Sequence, residues 1–140
     1  MVDKDLSRTK LNHIATNLAI LDGKAAITRE AFVSDVDEQY VVLHALQLCM
    51  QAAIDLAAHI VADEGWATPS RSGESFRTMA EHGVISEPLA VKLMQMAAFR
   101  KLIVHEYGEI DLDTVFDIWH NALADLREFA RLSTSYFSLS

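Results

Sequence analysis

The chain has 140 residues, enough for one domain with a sizeable core. Hydrophobic residues make up 51%, which excludes a disordered chain, and five Gly with two Pro are too few for a many-turned β protein. The formal net charge of −8 excludes a generally basic nucleic-acid coat, so any RNA contact has to be local.

The first helix is expected over roughly residues 5–21, with Leu11, Ile14, Leu18 and Leu21 as its apolar stripe and Gly23 as its stop. A linker follows, with a short turn at residues 28–32 that Thr28 can cap. The second long helix starts after Ser34 or Asp35 and runs to about Glu64. Val36, Tyr40, Leu43, Gln47, Met50, Ile54, Ala57 and Val61 repeat along it as a seam, widened by Leu46, Ala53 and Ile60. That band is too wide for one neighbour and points to a dimer. At ~1.5 Å per residue the helix is roughly 40 Å long, the spine of a bundle.

Residues 65–73 read as a loop, and residues 74–81 as a short helix closing at Gly83. Ser86 caps the third long helix, with Pro88 tolerated in its first turn. After Gly108, Asp111 or Asp113 caps a last helix whose face is Leu112, Val115, Trp119, Ala122, Leu126 and Phe129. The Ser-rich tail from Ser133 is expected to fray. The fold class is therefore all-α: an up-and-down four-helix bundle with a short additional helix. Residues 1–140 form a single domain, its core at about 6–132.

Cys49 stands alone in a helical run, so no intrachain disulfide forms, and it reads as a small core residue in a reducing compartment. No signal peptide precedes the polar start, and no apolar run reaches membrane-spanning length. A cytoplasmic location without a membrane partner is expected.

The stretch from Phe99 to Gly108 is where chemistry is expected. Leu89, Leu93, Met96, Arg100, Ile103 and Tyr107 are spaced four, three, four, three, four, one stripe of a helix. Five of the six suit a core or a partner-facing seam. Arg100 does not, because a guanidinium is always charged and is rarely buried alone. On an ideal helix His105 stands about 140° around the axis from Arg100. Fraying before Gly108, or a second subunit packed on the seam, would bring the two to one point.

Arg and His together suit RNA cleavage by the 2′-hydroxyl. A His moves the proton, an Arg holds the phosphate through two donors, and no metal is required. The plainer account is an Arg paired with a nearby carboxylate and a His satisfied at a helix end. For Tyr107 the plainer account is a core phenol with its hydroxyl at the edge. Lys101 and Lys92 add local positive charge, or are simply solvated. A metal site is not expected. Asp117-x-x-His120 has no second copy, Asp55 and His59 four apart would bind weakly, and no Cys/His zinc spacing occurs.

Arg100, His105 and Tyr107 form R-x-x-x-x-H-x-Y, which resembles the signature of HepT-like toxins within the HEPN superfamily. The likeness extends over residues 38–61, over Thr68-Pro69-Ser70 through Phe76, over Gly83-Val84-Ile85, and to Ile110-Asp111 after the motif. It implies a helical bundle that dimerises and joins two motifs in one cleft. It implies a metal-independent ribonuclease without a cofactor, with Arg100 and His105 as catalytic residues. It further implies a toxin paired with an MNT-type nucleotidyltransferase antitoxin that transfers AMP to Tyr107. The added charge and bulk would keep RNA phosphate from the cleft. Many members carry Asn or Asp where this chain has Lys101. That long cation favours RNA, but it cannot accept the hydrogen bonds an Asn or Asp would. The alternative is a non-catalytic helical module that only partners a nucleotidyltransferase.

Overall fold

The computed structural model describes residues 3–67, 73–105 and 110–139, except the side chains of Val104, His105 and Leu139. Among the described residues there is no strand. Six helices follow in order: α1 (Lys4–Gly23), α2 (Arg29–Ser34), α3 (Val36–Asp63), α4 (Glu74–Glu81), α5 (Glu87–His105) and α6 (Leu112–Leu139).

Side-chain caps start most of them. Asp3 accepts from the amides of Asp5 and Leu6, Thr28 from that of Ala31, and Asp35 from that of Glu38. Ser86 Oγ accepts the Leu89 amide at 3.2 Å, and Asp111 accepts the Asp113 amide at 3.0 Å. Each bond satisfies an amide that has no partner within the helix. Gly83, at φ +77°, closes α4 in the left-handed conformation, and the Val84 amide reaches back to Met79 O.

The four long helices run up and down. Asp3 N–H donates to Asp63 at 2.9 Å while Lys24 meets Glu38 at 3.0 Å, so α1 and α3 are antiparallel. Trp119 Nε1 donates to Leu21 O at 3.3 Å, tying the start of α6 to the end of α1. Lys92 faces Asp125 while Phe99 and Ile118 share one groove, so α5 and α6 are also antiparallel. One buried cluster draws on all six helices. The short α2 contributes Phe32, packed on Trp119 and Phe116, and is clamped by Arg29 on Asp113 and Asp117.

Three expectations change. The seam on α3 is buried only in part: Leu43, Met50, Ile54, Ala57 and Val61 are core, but Val36 and Tyr40 are more than half exposed. The N-terminal turns of α3 carry apolar side chains on a surface the bundle does not cover. The tail is not a loose end, because α6 continues to Leu139. Ser133 is fully buried, Phe137 is 8% exposed, and the Tyr136 hydroxyl donates to Glu64 at the end of α3. Packing outweighs the weak helix preference of the serines. Finally, α3 is long and apolar enough to cross a membrane by length and composition, but 61% of that window is buried inside the bundle.

Candidate active site

The site is built on the C-terminal half of α5. Leu89, Leu93, Met96 and Ile103 are all buried, so the stripe faces the core as its spacing requires. Arg100 lies on that stripe and is half-buried. Its Nε is sealed from solvent and, among the described residues, has no hydrogen-bond partner. No carboxylate among the described residues pairs with it. A buried guanidinium N–H without an acceptor is costly and is best satisfied by an anion. Among the described residues, no carboxylate supplies the partner that the plainer account of Arg100, a structural ion pair, requires.

Lys101 follows and is exposed, also without a carboxylate among the described residues. Leu102 is 46% exposed, an apolar side chain at the surface two residues from Arg100. α5 ends at His105. The His105 side chain, Tyr107 and Gly108 lie outside the described residues, as do Thr68, Pro69 and Ser70.

Two grooves flank α5. One, of about 600 Å³, opens between α5 and α6 and is lined by Met96, Phe99, Ile118, Asn121 and Ala122, with the Lys92–Asp125 pair beside it at 3.7 Å. The other, of about 290 Å³, lies between α4 and α5 and is lined by Arg77, Glu81, Glu87, Val91 and Met94. Sequence reasoning did not single out Arg77. It is exposed on α4 and bonded to no described carboxylate.

The remaining candidates are occupied elsewhere. Asp55 holds Lys10 at 3.3 Å and accepts from Gln51 at 2.7 Å, while His59 faces Asp63 at 3.3 Å, so Asp55 and His59 do not act as a pair. Asp117 binds Arg29, and the His120 ring bonds Phe116 O and Ala25 O. His82 stacks on Trp66, with ring centroids 4.0 Å apart. Among the described residues no three His, Cys, Asp or Glu side chains gather as metal ligands. Burial pushes the Cys49 thiol up to about 12, far from a reactive thiolate.

Fold and site together define an all-α bundle whose fifth helix places a half-buried arginine, unpaired among the described residues, on its inward stripe. The profile of the ribonuclease HepT-like family matches residues 14–132, and the chain belongs to that family. It is 35% identical over 98 residues to the mRNA nuclease HepT of Shewanella oneidensis, covering 70% of this chain and 74% of that protein. It is 27% identical over 135 residues to the tRNA nuclease HepT of Aphanizomenon flos-aquae, covering 96% and 92%. Its fold superimposes with a TM-score of 0.84 on the tri-AMPylated HEPN toxin of Shewanella oneidensis in complex with its MNT antitoxin. That match has 28% identity and covers 94% of this chain and 98% of the other.

Proposed function

We propose that this chain is the toxin of a toxin–antitoxin pair and acts as a metal-independent endoribonuclease in the cytoplasm. The observation that carries the reading is Arg100: a charged donor on the core stripe, with a sealed Nε that no described group satisfies. Family membership and the nuclease relatives support it.

Arg100 binds the scissile phosphate and stabilises the charge that grows on it. His105, one helical turn beyond Lys101, moves the proton as general acid/base. The P–O2′ bond forms as the P–O5′ bond breaks. The 2′-hydroxyl gives up its proton and the leaving 5′-oxygen takes one. Lys101 adds charge for RNA beside the motif.

The acting unit is a homodimer of this single domain, in which two motifs share a cleft. The exposed Leu102 on α5 and the uncovered Val36 and Leu48 on α3 support association, since apolar surface of this kind gains from burial. The partner that silences the toxin is an MNT-type nucleotidyltransferase. It moves AMP from ATP to the Tyr107 phenol oxygen, with pyrophosphate leaving. The complex formed by the Shewanella oneidensis toxin supports this partner.

Two experiments test the reading. His105→Ala should lower RNA cleavage about 10²–10⁴-fold while leaving the helical content unchanged. Incubation with the antitoxin and ATP should add the mass of AMP to the wild type and not to Tyr107→Phe, and should end cleavage. Undiminished cleavage by His105→Ala would contradict the assignment. A second reading, a non-catalytic module that partners a nucleotidyltransferase, is favoured if the unmodified chain binds the antitoxin but never cuts RNA.

A further inference from the structure

The protein has twelve Lys and Arg against twenty Asp and Glu, so by default a surface cation meets a carboxylate. Seven of the described cations do, from Arg8 on α1 to Arg131 on α6. Lys4 is engaged as well, and Arg71 lies outside the described residues. The cations that remain are Arg77, Arg100 and Lys101. They are not scattered. All three belong to α4 and the second half of α5, two helices that pack on each other.

Arg77 is exposed at the groove between those helices, beside Met94. Lys101 stands seven residues beyond Met94. That is two helical turns on nearly the same face, about 10 Å along the axis. Arg100 adjoins it. Glu81 and Glu87 line the groove with Arg77, yet neither forms an ion pair with it. In an acidic protein, the cations that no described carboxylate engages thus lie on two packed helices, with Glu81 and Glu87 beside Arg77 in the groove between them. A guanidinium left free of carboxylates is a ready bidentate ligand for phosphate.

We infer that Arg77 binds a backbone phosphate of the RNA outside the Arg100/His105 motif, so that the strand crosses the α4–α5 groove on its way from the cleft. This rests on the ribonuclease reading and extends it to the path of the substrate. Arg77 acts by positioning and does not touch the reacting atoms. The neighbouring acids tune it: Glu81 competes with phosphate for the same cation.

The test is binding of a fluorescent 2′-O-methyl RNA, whose blocked 2′-oxygen prevents cleavage, measured by anisotropy over a salt series. Arg77→Gln should weaken binding roughly threefold to tenfold at low salt and reduce the slope of log Kd against log salt by about 0.7. Glu81→Gln should tighten binding. Arg131→Gln, which removes a cation already paired with Glu128, should match the wild type. If wild type binds the RNA and Arg77→Gln binds it with equal affinity and slope, the inference is overturned alone. If Arg77→Gln keeps its RNA affinity but loses the antitoxin, it is overturned in favour of a protein contact. If the wild type binds no RNA, the ribonuclease reading falls with it.

Discussion

Gly73 is pressed against Met94: a β-carbon on Gly73 would come within 3.0 Å of Met94 Cα and 3.1 Å of Ala97 Cβ. The first contact is backbone and cannot rotate away. This glycine lets the start of α4 lie directly on α5 at Met94 and Ala97, about one to two turns before Arg100. Gly73→Ala should therefore push the two helices apart and cost about 1–3 kcal/mol. Thermal unfolding measures it. An unchanged midpoint would show that the helices yield without loss.

The end of α6 should matter for stability. Phe137 is nearly fully buried, and burying such a side chain contributes about 1.5–3 kcal/mol. A chain ending at Leu132 loses that burial together with the Tyr136–Glu64 bond, and its denaturant midpoint should fall. A truncated chain as stable as the full one would contradict the packing described for the tail.

Tyr136 should give an alkaline signature. Desolvation, and then the bond to Glu64, push its phenol up to about 12. The folded chain thus holds this proton more tightly than the unfolded one, whose phenol titrates near 10. The stabilisation is complete below about pH 10 and is lost as pH rises through about 12. An ultraviolet titration should show a late phenol in the wild type that is lost in Tyr136→Phe. A late phenol that persists in the variant would assign the effect elsewhere.

Cys49 should resist labelling. Its side chain is fully buried, and desolvation keeps the thiol protonated at neutral pH. A thiol reagent should modify the chain only as fast as it unfolds. Immediate reaction of the native protein would contradict its place in the core.

Much of this architecture is legible in the sequence because it depends on local chemistry. Thr28, Asp35, Ser86 and Asp111 mark helix starts through hydrogen bonds two or three residues long, and the structure forms each of them. The stripe through Leu93, Met96 and Ile103 is buried as its spacing requires, and it makes Arg100 conspicuous. What escaped the sequence is set by tertiary contact. The composition after Ser133 suggests a loose end, but the distant Glu64 and the bundle surface hold it. The seam through Val36 and Tyr40 has the right period, yet period alone does not say where a neighbour ends. Arg77 looks like any surface arginine until the partners of the other cations are known.

The central claim is that this chain cuts RNA through Arg100 without a metal. The measurement is RNA cleavage in EDTA by the wild type beside Arg100→Ala, after intact mass has established that Tyr107 carries no nucleotide. The account predicts cleavage by the wild type and a loss of about 10²–10³-fold in the variant. Equal cleavage by both would remove Arg100 from the site. No cleavage by either, from folded and unmodified chains, would contradict the nuclease and leave a binding module.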